Sequence, residues 1–203
     1  MGNFPPLRPQ YSSEVDPARD AALVEAVRRG DEGAFARLYA AHHPPLYRYA
    51  VTMCGAAAAD DVVQDTFLAV LRDPRRFDPG RGTLAAYLFG IARHHILKRF
   101  AVARLEAPME EDGEPGSESP SPFDDMSRTE IVDAVRVAIR SLPPVYREVI
   151  VLCELEELDY ATASRVIDSP IGTVRSRLHR ARALLTAKLA AGRVPVVAQR
   201  RRK

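Results

Sequence analysis

The sequence predicts an all-α protein made of two small helical domains joined by an acidic, flexible linker. Apolar residues recur every three or four positions through the first half of the chain and again through its last third, as amphipathic helices require. The period-two alternation of strands is almost absent. Between the two helical parts, the segment 104–128 holds eight acidic residues against two arginines. It is rich in Pro, Gly and Ser, and this composition cannot bury enough apolar surface to fold alone.

These patterns divide the chain into five segments. The two folded domains are predicted at 16–103 and 129–190, with the linker at 104–128 between them. A Pro-rich, disordered segment at 1–15 precedes the first domain, and a basic tail at 191–203 follows the second.

Bulk composition excludes several classes of protein. The chain has 203 residues, 46% of them hydrophobic, and a net charge of +2, so it is not a uniformly basic DNA-coating protein. No apolar run reaches the ~20 residues that span a bilayer, and no hydrophobic signal core opens the sequence. Cys54 and Cys153 lack CxxC spacing and are expected to be reduced, largely buried thiols. These features predict a cytoplasmic protein with no membrane contact.

The first part of the N-terminal domain contains a helix with two prolines. In "DEGAFARLYAAHHPPLYRYA" apolar and aromatic residues recur at helical spacing. Pro44 and Pro45 each lack an amide donor, and we expect them to kink or interrupt this helix.

An acidic helix follows in "DDVVQDTFLAVLRD". Its apolar face is formed by Val62, Val63, Phe67, Val70 and Leu71. Asp60, Asp61, Gln64 and Asp65 cluster on the other side. Asp61 and Asp65 are like charges at i, i+4, which costs a few tenths of a kcal/mol in an isolated helix. Taken alone, this is an incidental acidic face near a helix N-terminus.

The segment 72–100 combines a loop with a basic helix. Two Asp-Pro pairs and a Gly-Arg-Gly predict the loop, and Thr83 is expected to cap the helix that follows. Along that helix, aromatic and aliphatic residues stand beside Arg93, His94, His95, Lys98 and Arg99. Aromatic and cationic side chains together suit single-stranded DNA, although Tyr87 taken alone is more typical of a core residue.

The C-terminal domain contains a helix-turn-helix pattern. A short helix is predicted from about Tyr160 to Ile167, with Asp168 at the turn in a left-handed conformation. Ser169 is the expected N-cap and Pro170 the first residue of the second helix. On that helix Val174, Leu178, Ala181 and Leu185 form one apolar stripe, and the opposite arc is cationic. In this pattern the second helix enters the DNA major groove, where Arg, Ser and His suit acceptor-rich base edges.

Two motifs in this domain resemble region 4 of the extracytoplasmic-function group of the sigma-70 family. They are "LPPVYREVIVL" at 142–152 and "GTVRSRLHRAR" at 172–182. The resemblance implies recognition of the −35 promoter element and contact with the flap of the RNA polymerase β subunit. The implied DNA contacts are Thr173, Arg175, Ser176, Arg177, His179 and Arg180. The acidic pair common in the family is Ala161-Thr162 here, and the usual turn glycine is Asp168.

The N-terminal domain resembles region 2 of the same family. "DDVVQDTFLAV" is similar to the acidic helix that docks on the β′ clamp helices, which implies polymerase contacts at Asp60, Asp61, Gln64 and Asp65. "FDPGRGTLAAYLFGIARHHILKRF" is similar to the part that melts and reads the −10 element. The contacts implied there are Arg76, Arg81, Tyr87, His94, His95, Lys98 and Arg99. The usual Trp is Tyr87 and the usual Asn is His94, which leaves the preferred −10 sequence open.

The resemblance therefore implies a non-enzymatic transcription initiation factor that acts in stress responses. Its partners would be core RNA polymerase, promoter DNA and an anti-sigma factor, and the free chain is expected to be a monomer. No cofactor or metal is expected, because the paired histidines are adjacent rather than at i, i+4. No carboxylate pair stands in apolar surroundings, and no phosphate-binding loop is present. The alternatives are a helix-turn-helix regulator that binds duplex DNA without polymerase, and a decoy that binds polymerase without starting transcription.

Overall fold

The computed structural model describes residues 17–106 and 128–191, and these ranges contain helices and no strand. The all-α prediction is therefore confirmed. The segment 1–15, most of the linker and most of the basic tail lie outside the described residues. The α-helices are α1 (Pro17–Arg28), α2 (Glu32–Cys54), α3 (Ala56–Arg72), α4 (Leu84–Glu106), α5 (Arg128–Arg140), α6 (Pro144–Ile150), α7 (Tyr160–Ile167) and α8 (Ile171–Ala191).

The N-terminal domain is built from α1 to α4. Asp31 begins α2 as its N-cap, since its Oδ1 accepts a hydrogen bond of 2.9 Å from the amide of Ala34. Gly55, at φ 84°, ends α2 and turns the chain directly into α3. The two helices pack against each other, and α4 lies across both. Tyr49 and Phe89 meet edge to face in the core, with ring centroids 5.3 Å apart.

The expected interruption at Pro44 and Pro45 is wrong, because α2 runs unbroken through both residues. Their missing amides leave the carbonyls of Ala40 and Ala41 without helical partners. Both of those alanines are exposed, so water can satisfy the carbonyls. Pro45 itself is buried, and its packing offsets the loss of the hydrogen bond.

The loop between α3 and α4 is tied to the domain at both ends. A short 3₁₀ helix, Pro74–Arg76, opens it. Arg28 of α1 donates hydrogen bonds to the carbonyls of Pro74 (3.1 Å) and Phe77 (2.7 Å). At the other end, Thr83 Oγ1 accepts from the amide of Ala86 at 3.2 Å, which confirms Thr83 as the cap of α4. The loop from 77 to 84 is thereby held in one place beside α4.

The C-terminal domain contains α5 to α8, and the predicted helix-turn-helix is confirmed in α7 and α8. Between α6 and α7 the chain passes through a five-residue π-helical segment, Val151–Leu155. Asp168 adopts the left-handed conformation expected of it, with φ 50° and ψ 54°. Val174, Leu178 and Ala181 are buried as predicted, and they hold α8 against α6 and α7.

The cap predicted for α8 is wrong. Ser169 Oγ points back into the turn and donates to the carbonyl of Ile167 at 3.4 Å. The carbonyl of Pro170 accepts from the amides of Thr173 (2.8 Å) and Val174 (3.2 Å). Proline has fixed φ and needs no amide partner, so Pro170 can precede the helix as readily as begin it.

The two domains pack together. Helix α7 of the C-terminal domain lies on α4 of the N-terminal domain, and α2 contacts α5 and α6. Buried apolar residues of both domains form one continuous core.

Candidate functional site

Helix α8 presents a polar face to solvent along its first turns. Arg175, Ser176, His179 and Arg180 are exposed there, opposite the buried stripe. Thr173 and Arg177, also predicted as DNA contacts, are half-buried at the edges of this face. The structure therefore brings the six predicted residues together on one helix, and four of them are exposed to solvent.

The supporting helix α7 is capped by an aspartate. Asp159 accepts hydrogen bonds from the amide and the hydroxyl of Thr162, both at 2.8 Å. Partial burial raises the pKa of Asp159, but the hydrogen bonds from Thr162 and Ala161, together with the nearby Arg165, outweigh it and lower the pKa below its usual value. Thr162 thus takes part in the cap that fixes the start of α7.

Two arginines of α8 have partners inside the domain. The guanidinium carbon of Arg175 lies 5.6 Å from the centroid of the Tyr160 ring, a cation–π arrangement. Arg182 donates from Nε to Glu154 Oε1 at 3.1 Å and makes a second, shorter contact to the same atom. Arg182 is thus paired within the domain, although its side chain, like that of Arg180, is exposed to solvent.

The residues predicted to contact the −10 element fall into two groups. Four of them are exposed: Arg76 on the 3₁₀ helix, Arg81 on the loop, and His94 and Lys98 on α4. Tyr87 is half-buried and tilted against Phe77, with ring centroids 5.7 Å apart, which is the core role that its pattern alone favours. Burial raises the pKa of Tyr87. His95 and Arg99 form the second group.

The second group pairs with the acidic helix. Arg99 donates to Asp61 at 2.8 Å, and His95 Nδ1 lies 3.8 Å from Asp65 Oδ2. Partial burial lowers the pKa of His95, and the nearby Asp65 only partly opposes this. Arg99 therefore offsets the charge of Asp61, one member of the like-charge pair on α3. Asp61 and Asp65 belong to the site predicted for polymerase, and Arg99 and His95 belong to the site predicted for promoter DNA. These side-chain contacts therefore join the two predicted sites.

The cavity beside α4 is formed by the 77–84 loop. It has a volume of about 280 Å³ and is lined by that loop and by Arg165 of α7. A residue of the C-terminal domain thus forms one wall of a cavity that otherwise belongs to the N-terminal domain.

The sequence reading missed a polar cluster between the domains. Glu156 has no exposed surface and receives hydrogen bonds from Arg48 at 2.6 and 3.1 Å. Glu148 is buried and accepts from Tyr49 and Arg93, each at 2.9 Å. Each of these glutamates is paired with an arginine, so they do not form a carboxylate pair isolated in apolar surroundings. Glu148 precedes the apolar run 149–152, which is a sign of a buried charge that needs a partner, whereas Glu156 stands among Glu154, Glu157 and Asp159 and no such sign marks it.

Both cysteines are free thiols and half-buried, so the expectation that they are largely buried is only partly met. Burial raises the pKa of Cys153 to about 11 and also raises that of Cys54. Within residues 17–106 and 128–191, no group of three or more side chains is placed to hold a metal. In the same ranges, no helix is both long and apolar enough to cross a membrane.

Comparison with known proteins places both halves in one family. The family model for Sigma-70 region 2 matches residues 38–105, and that for Sigma-70, region 4 matches residues 133–185. The chain is 32% identical to the ECF RNA polymerase sigma factor SigE of Mycolicibacterium smegmatis, over 79% of this chain and 65% of that protein. It is 30% identical to the ECF RNA polymerase sigma-E factor of Haemophilus influenzae, over 84% and 95% of the two chains. The sigma factor RpoE of Bartonella quintana, solved in complex with the anti-sigma factor NepR, is 25% identical with a TM-score of 0.64, covering 77% of this chain and 96% of that one.

Proposed function

This chain belongs to the extracytoplasmic-function (ECF) group of the sigma-70 family of RNA polymerase sigma factors, and from that membership we propose how its surfaces divide the work of transcription initiation. The α1–α4 domain, within 16–103, binds core polymerase and opens the −10 element. The α5–α8 domain, within 129–190, reads the −35 element. The family matches at 38–105 and 133–185 support this division.

The −35 contact is carried by the polar face of α8. Arg175, Ser176, His179 and Arg180 are exposed on the side opposite the buried stripe, so the helix can enter a major groove without unpacking from its domain. Arginine and serine reach acceptors on guanine and on phosphates, and the half-buried Thr173 and Arg177 flank them. This exposed face on a rigidly supported helix is the observation that carries the proposal.

The −10 contact is divided between the loop and α4. Arg76, Arg81, His94 and Lys98 are exposed and available to the phosphates of an opened strand. Tyr87 is half-buried and packs against Phe77 of the loop. His95 and Arg99 join the contact only when they leave Asp65 and Asp61.

Core polymerase binds the acidic face of α3. Asp60, Asp61 and Gln64 are exposed and Asp65 is half-buried, which suits the cationic clamp helices of the β′ subunit. The C-terminal domain adds a contact to the flap of the β subunit. The factor itself catalyses no reaction and acts in the cytoplasm, where polymerase and promoters are found. The complex of the Bartonella quintana factor with NepR supports an anti-sigma factor as a further partner.

Multi-round transcription tests this proposal. Core polymerase and the purified chain are incubated with a library of promoter fragments, and the 5′ ends of the RNA are sequenced. We expect discrete start sites that share two upstream motifs about 25 base pairs apart, roughly 85 Å of duplex. A stable complex with core but no discrete starts indicates a decoy. No complex with core, together with tight binding of duplex DNA by a dimer, indicates the regulator instead.

A further inference from the structure

Tyr160 contacts the polar face of α8 although it belongs to the helix before it. It is the first residue of α7, and its side chain is exposed to solvent. The guanidinium carbon of Arg175 lies 5.6 Å from the centroid of the Tyr160 ring, within the ~6 Å at which an aromatic face attracts a cation. Arg175 is one of the four exposed residues proposed to contact DNA. A residue outside α8 is therefore in contact with one of the side chains proposed to read the −35 element.

The position of Tyr160 is fixed by the cap of α7. Asp159 immediately precedes it and accepts hydrogen bonds from the amide and the hydroxyl of Thr162, both at 2.8 Å. Thr162 and Ala163, in the same first turn, are buried, and α7 packs against α8. A tyrosine side chain has only two rotatable χ angles, so its ring forms a contact surface at low cost in entropy. The ring therefore has a defined place beside α8.

Two arginines on this side of α8 are held by groups of different charge. Arg175 and Arg182 are seven residues apart, about two helical turns, and so lie on the same side of the helix. The hydrogen bond from Arg182 to Glu154 raises the pKa of Arg182, and the hydroxyl of Tyr160 adds to this rise. Among the described residues, Arg175 forms no ion pair. A carboxylate thus offsets the charge of Arg182, whereas a neutral ring contacts Arg175 and leaves its charge uncompensated.

Contact with a ring leaves the hydrogen-bond donors of a guanidinium available. The five N–H groups of arginine form a planar fork, and the group can stack on an aromatic face while this fork stays free. It can then donate two parallel bonds to O6 and N7 of a guanine. A carboxylate in place of the ring would accept those bonds itself and compete with DNA. Tyr160 can therefore orient Arg175 without competing for its donors.

A restrained arginine binds DNA with a smaller loss of entropy than a free one. The arginine side chain is among those that lose the most rotamer freedom when they are ordered. A side chain that is already held in its bound direction loses less on association. A fixed direction also favours one base, because the bidentate contact requires both N–H groups to face O6 and N7 of guanine together. The ring should therefore affect both the affinity for DNA and the choice of base.

We propose that Tyr160 is a positioning residue for −35 recognition, whose ring holds the guanidinium of Arg175 toward a guanine edge and thereby sets the base preference at one position of the element. The contact between the ring and the arginine is given by the geometry. Its consequence for DNA rests on the proposed role of Arg175 at −35.

The contact itself can be tested in the free chain without DNA. Protons that lie over an aromatic ring resonate upfield because of the ring current. Tyr160→Phe keeps the ring and removes the hydroxyl, whereas Tyr160→Leu replaces the ring by an aliphatic side chain. We expect the side-chain resonances of Arg175 to be shifted upfield in the wild type and in Tyr160→Phe, but not in Tyr160→Leu. Unshifted resonances in the wild type would overturn the contact. Circular dichroism verifies that each variant is folded.

Recognition is measured with holoenzyme assembled from core polymerase and each variant. The duplexes carry the −35 sequence recovered from the transcription experiment and every single-base change in it. Arg175→Ala identifies the position that Arg175 reads, as the one at which the preference for guanine is lost. Tyr160→Leu should weaken binding of the preferred duplex about two- to fivefold, which corresponds to an exposed cation–π contact, and should reduce discrimination at that same position. Tyr160→Phe should match the wild type in both respects.

A double-mutant cycle separates positioning from a contact that Tyr160 makes on its own. In the Arg175→Ala background, Tyr160→Leu should have no further effect, because no guanidinium is left to position. Arg180→Ala is the matched control background, since it removes the same charge from the same helix. Among the residues that the structure describes, no ring lies against the Arg180 guanidinium. Tyr160→Leu should therefore keep its effect of about two- to fivefold in that background.

The outcomes distinguish this proposal from the proposed function of α8. A loss in Tyr160→Leu that persists without Arg175 overturns positioning, and an equal loss in Tyr160→Phe assigns the effect to the hydroxyl and also overturns it. Wild-type affinity and base preference in Tyr160→Leu overturn positioning too, while the −35 role of α8 stands if Arg175→Ala weakens binding. If Arg175→Ala changes neither affinity nor base preference, the proposed role of Arg175 is wrong and the inference is wrong with it.

Discussion

Arg99 of α4 donates a hydrogen bond of 2.8 Å to Asp61 of α3, and this pair joins the surface proposed for promoter DNA to the surface proposed for polymerase. One turn earlier on α4, His95 faces Asp65 at 3.8 Å. Asp60 has no ion pair among the described residues. Of the residues proposed to bind core polymerase, Asp61 and Asp65 therefore face a basic side chain of α4, whereas Asp60 does not.

Asp60→Ala should weaken binding to core polymerase more than Asp61→Ala. Asp60 offers an unpaired charge, whereas Asp61 must first give up Arg99, and exposed ion pairs are worth ~0.2–1 kcal/mol. We expect about a tenfold loss for Asp60→Ala, equal to ~1.4 kcal/mol, and less than about threefold for Asp61→Ala. Fluorescence anisotropy with labelled chain measures both. Equal losses of polymerase affinity in the two variants would contradict the prediction that Asp60 contributes more than Asp61.

His95 should be neutral at pH 7 in the folded chain. Burial lowers its pKa below the usual value of 6.5, so the unfolded chain binds more protons in the window just below pH 6.5. The stability that His95 contributes is present above this window and is lost as the pH falls through it. Wild-type chain should therefore lose more unfolding free energy between pH 7.5 and pH 5.5 than His95→Gln, a window chosen around pKa ~6.5. Urea denaturation at each pH measures the unfolding free energy of both chains. Equal losses of unfolding free energy in the wild-type chain and in His95→Gln would contradict the prediction.

The helix-turn-helix could be predicted in detail because its signals are local. The bounds of α7 and the left-handed Asp168 follow from spacing and from one residue's conformational tolerance. The continuity of α2 through Pro44 and Pro45 could not be predicted in this way. It depends on burial of Pro45 in the core and on solvent at Ala40 and Ala41.

The contacts between the domains could not be predicted from the sequence for a different reason. Arg48 and Glu156 are 108 positions apart, and no periodicity links them. Glu156 stands beside Glu154, Glu157 and Asp159 in the sequence, so nothing local distinguishes the one glutamate that is fully buried. The pairing of Arg99 with Asp61 was hidden in the same way, because each residue was read as a contact for a different external partner.

Arg180→Ala should reduce binding to −35 duplex, and Arg182→Ala should not. Both side chains are exposed, but that of Arg182 is hydrogen-bonded to Glu154 and must leave it before it can bind a phosphate. If Arg180 contacts one phosphate, its loss should lower the slope of log K against log salt by ~0.9. Arg182→Ala removes the same charge from the same helix, so it is the matched control. Holoenzyme binding to a −35 duplex over a salt series measures both slopes, and a similar change in the two would refute the assignment.

Cys153 should react slowly with alkylating agents while the chain is folded. Burial raises its pKa to about 11, with a smaller contribution from Glu154. At pH 8 a thiol of pKa ~11 is about 0.1% thiolate, against ~10% at pKa ~9, and the thiolate is the reactive form. Iodoacetamide should modify Cys153 about 100-fold faster in urea than in buffer, as followed by mass spectrometry. Comparable rates in the two conditions would show that the thiol is not suppressed by folding.

Asp168→Gly should preserve or raise the stability of the C-terminal domain. Asp168 sits at φ 50° and ψ 54°, where a side chain costs on the order of 1 kcal/mol and glycine costs little. Glycine also loses more backbone entropy on folding, so the expected net gain is between 0 and ~1 kcal/mol. Asp168→Val places a β-branched residue in the same conformation and should lose ~1–2 kcal/mol.

Substitutions at Asp168 change both the charge and the backbone strain of this turn, so their two effects on the unfolding free energy must be distinguished. Asp168 precedes the N-terminus of α8, where a negative charge is favourable, and both Asp168→Gly and Asp168→Asn remove that charge. Asn tolerates the left-handed conformation nearly as well as Asp does. The difference between the Gly and Asn variants therefore isolates the backbone contribution. Urea denaturation of the full chain followed by circular dichroism should rank the unfolding free energy as Gly at least equal to Asn, and both above Val. If the Val variant is as stable as the Gly variant, the turn must relax away from the left-handed conformation. The orientation of α8 relative to α7 would then not be fixed by Asp168, although the proposed role of α8 in the major groove requires a fixed orientation.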